Sequence, residues 1–104
     1  MFQSLKDMFA VEAPVDFNEI LANGGKIIDV RTYGEFSSGH VNGSVNIPLQ
    51  NLQNEVQDLD TDQPYILVCA SGNRSGSAKR MMENMGFTNI YNGGGWMQLQ
   101  GQLN

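Results

Sequence analysis

The sequence predicts one α/β domain built on a parallel β-sheet, and three observations indicate it. Short apolar runs of strand length recur along the chain, most clearly at residues 27–30 and 65–69. Stretches with apolar residues at helical spacing lie between such runs, and strands that alternate with helices form parallel sheets covered on both faces. A chain of 104 residues can bury one core but leaves little room for a second domain.

The first elements of the domain are a short helix and a central strand. Asp16 and, three residues later, Glu19 form a capping pair that predicts the start of the helix. The run Asn-Gly-Gly at residues 23–25 predicts its end, because glycine tolerates the left-handed conformation that closes helices. Residues 27–30 then have the composition of a buried strand.

The middle of the chain predicts a helical turn over residues 33–37 and a short strand over residues 45–47. Pro48 follows and favours the first turn of a helix. The apolar positions of this helix follow helical spacing and are Leu49, Leu52, Val56 and Leu59. A second central strand is expected over residues 65–69.

The last third of the chain predicts an amphipathic helix and a final strand. The apolar stripe of the helix comprises Ala78, Met81, Met82 and Met85. Gly86 supplies a left-handed stop, and the strand is expected over residues 89–91. We expect the domain to cover residues 14–104, with residues 1–13 as an extension that forms a short helix. One side of that helix would carry Phe2, Leu5, Met8 and Phe9.

The charge of the chain restricts its partners. The formal net charge is -5, whereas nucleic acids and anionic membranes are bound by proteins with a basic excess, so we expect neither as a partner. Three of the six Lys and Arg residues, Arg74, Lys79 and Arg80, nevertheless follow Cys69 closely, which fits a small anionic substrate. Lys79 and Arg80 are interpreted as an exposed helix face.

The sequence has neither a signal-peptide pattern nor a long apolar run, so a soluble, cytoplasmic protein is expected.

Cys69 is the single cysteine, and its position fits a nucleophile. It ends the apolar run at 65–69 and precedes a short polar loop, after which the helical pattern begins at Ser75, the expected helix cap. Backbone N–H groups that enter a helix beside a strand end form an anion site and lower the pKa of a thiol there. Position alone leaves a second interpretation open, in which Cys69 is a small buried apolar residue.

A single cysteine also limits the chemistry. It excludes a disulfide within the chain, a site built from several cysteines and a second thiol that could discharge the first. We therefore expect no metal and no cofactor, and any group loaded on Cys69 must be removed by an external molecule.

Three segments, in order, resemble the rhodanese family of sulfurtransferases, and the resemblance extends from about Val15 to Gly101. The first contains Asp29-Val30-Arg31, Glu35-Phe36 and the run from Gly39 to Pro48, the second is Cys69-Ala70-Ser71-Gly72-Asn73-Arg74-Ser75, and the third contains Gly86-Phe87, Tyr91 and Gly94-Gly95. The resemblance implies a single-domain rhodanese-like fold, with a parallel sheet of about five strands between helices.

The resemblance also implies an activity, that of a thiosulfate sulfurtransferase. Cys69 would take sulfane sulfur from thiosulfate or a similar anionic donor as a persulfide, and would pass it to cyanide, a small thiol or a protein thiol. The residues expected to bind the donor and the transferred sulfur are Ala70, Ser71, Gly72, Asn73, Arg74 and Ser75. Arg74 is expected to attract the donor. The residues expected to be structural near the site are Asp29, Arg31, Glu35 and His40, with Glu35 as a partner of Arg31. A monomer or weak dimer is expected.

Two alternatives remain at this stage. The domain could be a persulfide relay or binding module that docks a dedicated protein partner through Phe2, Leu5 and Phe9. A related cysteine phosphatase or an arsenate reductase is the other alternative, but these phosphatases place five residues between cysteine and arginine, whereas four residues separate Cys69 from Arg74 here. The shorter loop makes a smaller cradle, which favours one sulfur atom over a tetrahedral phosphate.

The sequence departs from the family at one position near its end. Rhodaneses often carry tryptophan four positions after the glycine pair, where this chain has Leu99, whereas Trp96 comes directly after Gly95. Trp96 is therefore expected to pack differently or to line the mouth of the site, which leaves the choice of acceptor open.

Overall fold

The computed structural model describes residues 15–104. The predicted extension over residues 1–13, its helix and the docking residues Phe2, Leu5 and Phe9 lie outside the described residues. The boundary between extension and domain remains a prediction.

The described chain folds around a parallel sheet, which confirms the predicted α/β class. The sheet has strand order β2-β1-β3-β4. The strands are β1 (Lys26–Asp29), β2 (Val45–Asn46), β3 (Tyr65–Cys69) and β4 (Ile90–Gly95). Within residues 15–104 there are thus four strands, where the resemblance implies about five. Strand β3 pairs along most of its length with β1 on one side and with β4 on the other. Strand β3 and its terminal residue Cys69 therefore lie in the middle of the sheet.

Five helices accompany the strands in the described residues. They are α1 (Phe17–Ala22), α2 (Tyr33–Ser37), α3 (Leu49–Glu55), α4 (Asn73–Asn84) and α5 (Trp96–Gln102). The predicted capping pair is confirmed, because the Asp16 carboxylate accepts the backbone N–H of Glu19 at 3.1 Å. At the start of α2, Thr32 and Glu35 form a capping box.

Two hydrophobic clusters cover the two faces of the sheet, because successive strand residues point to opposite sides. One cluster contains Ile28, Leu67 and Cys69 and is completed by side chains of α3 and α4, among them Leu52 and Met82. The other cluster contains the alternate strand residues and is completed by α1 and α5; its members include Ile27, Ile66, Val68, Ile20 and Leu99. Every residue of β3 is buried, as expected for a strand with helices on both sides.

The start of α4 differs from the prediction. The helix begins at Asn73, two residues before Ser75, and Gly72 is its N-cap. Gly72 has φ +103°, a left-handed conformation that glycine adopts without strain, and its carbonyl accepts the N–H of Gly76 at 2.9 Å. The prediction that Ser75 caps this helix was therefore wrong, because the glycine turns the chain earlier.

Other element boundaries differ as well: β1 lies one residue earlier than predicted, and β2 ends at Asn46 instead of residue 47. α3 ends at Glu55, so Leu59 packs on the core from the turns that follow the helix. β4 extends beyond residue 91 to Gly95, and its register with β3 shifts so that Leu67 lies opposite Asn92 and Val68 opposite Gly94. Helix α5 was not predicted. It starts at the end of β4 without a side-chain hydrogen bond at its N-cap, so the sequence lacks a local capping signal for it.

Candidate active site

The carboxyl ends of the parallel strands bring the predicted site residues to one edge of the sheet. Cys69 ends β3 and lies opposite Gly95 of β4, while Asp29 ends β1 and lies opposite Val68. The loop between Cys69 and α4 crosses this edge. Segments that are distant in sequence therefore surround one cysteine.

The Cys69 side chain is buried but faces the loop with its sulfur. The residue is 1% exposed. Its Sγ accepts the backbone N–H of Gly72 at 2.9 Å and that of Ser75 at 3.4 Å, and it lies 3.4 Å from the hydroxyl oxygen of Ser75. A thiol that is only a small apolar core residue would have carbon neighbours at these positions, so the polar surroundings favour the interpretation as a nucleophile.

These surroundings act on the pKa of Cys69 in opposite directions. Burial raises the pKa, since it disfavours the charged thiolate. Hydrogen bonds from the side chain of Ser75 and from the backbone of Ser75, Ser71 and Gly72 lower it, and together they outweigh burial. The pKa of Cys69 consequently lies below its ordinary value of 9.0.

The loop residues differ in their exposure to solvent. Ala70, Ser71 and Asn73 are exposed, Gly72 is half-buried and Ser75 is buried. A Cβ on Gly72 would lie 3.4 Å from Cα of Gly94, so the loop also passes close to the backbone of β4. The loop thus offers the sulfur backbone N–H groups while most of its side chains point outward.

Arg74 and Glu35 form an ion pair that the sequence did not predict. The two guanidinium nitrogens NH1 and NH2 of Arg74 donate to the two carboxylate oxygens of Glu35 at 2.7 and 2.9 Å. The hydrogen bonds from Arg74 and from the backbone of Thr32 lower the pKa of Glu35 to about 2, and the Glu35 carboxylate raises the pKa of Arg74. Two-point pairing of this kind also orients both groups. The pair connects α2 to the first turn of α4.

Arg31 has other partners, so the expected pair of Glu35 with Arg31 was wrong. The Arg31 guanidinium donates to both carboxylate oxygens of Asp29 at 2.8–3.1 Å and to the backbone carbonyls of Glu35 and Gly39 at 3.3 and 2.7 Å. It also lies over the ring of Trp96, 4.9 Å from the ring centroid. Asp29 and Arg31 thereby tie the end of β1 to the loop after α2.

The remaining predicted residues lie beside this network. His40 Nδ1 is 2.7 Å from the carbonyl oxygen of Phe36, and its ring stacks on that of Phe36 with centroids 3.7 Å apart. Trp96 is half-buried and packs beside Gly39, whereas Leu99 is fully buried in the core. Trp96 therefore packs on the Arg31 network, and Leu99 fills the core position.

Asn92 belongs to the site, although sequence reasoning missed it. Its Oδ1 accepts the hydroxyl of Ser75 at 2.6 Å and the N–H of Gly94 at 2.9 Å, and its Nδ2 donates to the carbonyl of Gly72 at 3.2 Å. The sequence signal was weak: a polar residue directly before a run of three glycines, which indicates close backbone approach.

Among residues 15–104, no three His, Cys, Asp or Glu side chains come together in a group that could hold a metal ion. No helix in that same part of the chain is long and apolar enough to cross a membrane.

Fold and site together define a class of small α/β domains, in which a cysteine at the end of a central parallel strand faces the amides of a loop that enters a helix. The sequence profile of the rhodanese-like domain family matches residues 13–102. The chain belongs to the rhodanese-like domain family.

Individual relatives agree with this assignment. The thiosulfate sulfurtransferase GlpE of Pseudomonas aeruginosa is 30% identical over 95 residues, which cover 91% of this chain and 86% of that protein. The uncharacterized protein YqhL of Bacillus subtilis is 39% identical over 79 residues, which cover 75% of this chain and 63% of that protein. Among solved structures, a rhodanese with anions from E. coli matches with a TM-score of 0.68 and 32% identity, over 71% of this chain and 89% of that chain.

Proposed function

We propose that this protein is a thiosulfate sulfurtransferase that moves sulfane sulfur from thiosulfate or a similar donor to a thiophilic acceptor through a persulfide on Cys69. The observation that carries the proposal is the position of the Cys69 sulfur within hydrogen-bonding distance of the N–H groups of Gly72 and Ser75. The relative GlpE, which is named a thiosulfate sulfurtransferase, supports the choice of donor.

In the first half of the reaction, the Cys69 thiolate attacks the outer sulfur of thiosulfate. A bond forms between Sγ and that sulfur, the sulfur–sulfur bond of thiosulfate breaks, and sulfite leaves with the electron pair. Cys69 then carries a persulfide whose terminal sulfur is anionic. Backbone N–H groups of the loop, already oriented before the reaction, stabilise this charge.

In the second half, a nucleophilic acceptor takes the terminal sulfur. Cyanide attacks this sulfur and leaves as thiocyanate, or a thiolate attacks it and leaves as a persulfide. In both cases the sulfur–sulfur bond of the Cys69 persulfide breaks, and its electron pair stays on Sγ, which restores the thiolate. Because residues 15–104 contain no other cysteine, the acceptor comes from outside the described chain.

Within this proposal, the main role of Arg74 is to join α4 to α2 through Glu35, and its charge attracts the donor little. Its charge is balanced by Glu35 at 2.7 Å, so the pair presents little net charge to an incoming anion. The same pair turns the guanidinium toward α2, which argues against the phosphatase alternative, because a phosphatase needs the arginine to close over a bound phosphate. Donor attraction then depends on the loop amides and the start of α4.

The persulfide is tested by intact mass. Wild-type protein treated with thiosulfate should gain the mass of one sulfur atom, and later addition of cyanide should remove it. The Cys69→Ser variant should gain none, while retaining the wild-type unfolding transition in urea. Sulfur loading that persists in the serine variant would overturn the proposal, as would a wild-type protein that never loads.

A relay that passes sulfur to a dedicated protein is the second candidate. The observation that favours it is the exposure of Tyr33 (72%) and Met97 (69%), which follow the ends of β1 and β4 on either side of β3. A steady-state assay with thiosulfate and cyanide separates the two candidates. Repeated turnover supports the enzyme, and a single loading event that small acceptors do not discharge supports the relay.

A further inference from the structure

The side-chain amide of Asn92 has a determined orientation. The backbone N–H of Gly94 can only donate, so the atom of Asn92 that it meets at 2.9 Å must be the oxygen. The carbonyl of Gly72 can only accept, so the atom that it meets at 3.2 Å must be the amide nitrogen. Asn92 Oδ1 therefore faces the hydroxyl of Ser75 as an acceptor at 2.6 Å.

This orientation decides where the proton of Ser75 points. A hydroxyl has one proton and can donate one hydrogen bond at a time. At 2.6 Å from an oxygen that carries no hydrogen, the Ser75 proton lies on the side of Asn92. In the thiol form, Ser75 thus presents a lone pair to Cys69 Sγ, 3.4 Å away, and accepts from the S–H. The hydroxyl can lower the pKa of Cys69 only by turning its proton toward the sulfur.

We propose that Asn92 is a positioning residue that competes with Cys69 for the single hydroxyl proton of Ser75. When the thiol releases its proton to solvent, the Ser75 hydroxyl rotates, its bond to Asn92 breaks and it donates to the anionic sulfur. The S–H bond and the Ser75–Asn92 hydrogen bond break, and the hydrogen bond between Ser75 and Sγ reverses its direction. The inference deepens the proposed function, on which its catalytic meaning rests, since the thiolate is the form that attacks the donor.

The geometry of the loop does not depend on Asn92 alone. The Gly72 carbonyl also accepts the N–H of Gly76 at 2.9 Å, inside the first turn of α4. Removing the Asn92 amide therefore leaves the turn that aims the Gly72 N–H at the sulfur. The Gly94 N–H, which loses its partner, lies in a half-exposed residue where water can replace it.

Charged groups near the sulfur come from three elements, α4, α2 and the end of β1. Arg74 of α4 interacts electrostatically with both Cys69 and Asp29, and Glu35 of α2 balances Arg74. Arg31, after β1, is bound to Asp29. On the Asn92 side lies Arg80 of α4, since a Cβ on Gly76 would meet Asn92 Nδ2 at 3.4 Å and Arg80 Nη1 at 3.9 Å. Substitution of Asn92 by alanine removes none of these charges, so a change in the ionisation of Cys69 that requires Ser75 would report on the hydroxyl.

The test is a double-mutant cycle on the pKa of Cys69, measured from the pH dependence of its alkylation by iodoacetamide in the absence of any sulfur donor. Asn92→Ala should lower this pKa by about one unit, because Ser75 no longer has a competing acceptor. Ser75→Ala should raise it, because the thiolate loses a donor. The double variant should match Ser75→Ala alone.

Asn89→Ala is the matched control. Asn89 precedes the same strand, and its amide donates to the carbonyl of Asp62 at 3.1 Å, so its removal should leave the pKa of Cys69 unchanged. The inference is overturned if Asn92→Ala leaves the pKa unchanged or raises it, or if it lowers the pKa equally in the Ser75→Ala background. The sulfur-loading experiment on wild-type protein is separate, so failure of sulfur transfer and failure of this inference give different results.

Discussion

At the scale of residues, the two arginines of the site have different environments. Arg31 is 4% exposed, and its donors are used by Asp29 and by two backbone carbonyls, as burial of a guanidinium requires. Arg74 is partly exposed and binds only the carboxylate of Glu35 among the side chains of the described chain. The buried pair therefore holds the end of β1, and the exposed pair joins α2 to α4.

The Glu35–Arg74 pair predicts a dependence of stability on pH. Folding lowers the pKa of Glu35 from 4.5 to about 2, so the pair stabilises the folded state fully above pH 4.5 and loses its effect as the pH falls toward about 2. The difference in free energy of unfolding between wild type and Glu35→Gln should therefore shrink across this window. Urea unfolding at several pH values measures it.

Glu83→Gln is the control for that experiment. Glu83 binds Lys79 through one hydrogen bond of 2.9 Å on an exposed helix face, where such pairs contribute little. Its removal should change stability less than the removal of Glu35 does above pH 4.5. A difference between wild type and Glu35→Gln that is independent of pH would contradict the role given to the pair.

At the scale of elements, the irregular strand β4 determines the shape of the site. Gly93 is the extra residue where the register shifts, between Asn92 opposite Leu67 and Gly94 opposite Val68. Asn92 is the last residue before the shift and lies beside Ser75, and after the shift the backbone of Gly94 lies beside the loop at Gly72. A regular strand would direct the following residues differently.

Gly93→Ala should destabilise the protein. A Cβ at this position would lie 2.8 Å from Cγ2 of Ile66 and 2.9 Å from Cγ1 of Val68, and both side chains belong to the packed core. The expected loss is about 1–3 kcal/mol, typical of overpacking, and urea unfolding measures it. Gly101→Ala is the control, because a Cβ there meets no atom within 4 Å in helix α5. That variant should be neutral or more stable, by up to about 1 kcal/mol; equal losses in both variants would refute the packing argument.

At the scale of the whole molecule, the sheet separates a core cluster that includes the site from one that does not. Cys69 belongs to the cluster covered by α3 and α4, whereas Leu99 belongs to the cluster on the other face. Stability and thiol chemistry should therefore respond separately to substitutions in the second cluster.

Leu99→Ala tests this separation. Leu99 is 0% exposed, so the substitution should cost about 2–5 kcal/mol. The pKa of Cys69, measured by alkylation under conditions in which the variant remains folded, should stay at its wild-type value. Met97→Ala is the control, since Met97 is 69% exposed and its truncation should change neither quantity appreciably. A shift in the pKa with Leu99→Ala would show that the second cluster supports the loop.

The elements with local signals can be predicted from the amino-acid sequence. The strand Tyr65–Cys69 and the turn Tyr33–Ser37 have their predicted bounds, and the Asp16 cap and the stop at Gly86 (φ +103°) are present. Apolar spacing, capping pairs and glycine stops act between residues only a few positions apart, so they can be read directly from the chain. The rhodanese-like fold followed from the order of such elements and from three short motifs.

Which polar groups meet around Cys69 depends on the packing of distant segments. Glu35 pairs with Arg74, 39 positions away, and Asn92 reaches Ser75, 17 positions away. Neither pair has a local signal, because each joins elements that only the packing of the parallel sheet brings together: α2 and α4 for Glu35 and Arg74, β4 and α4 for Asn92 and Ser75. A shift in the register of β4 against β3 would separate Asn92 from Ser75 without changing the apolar pattern that predicts the fold.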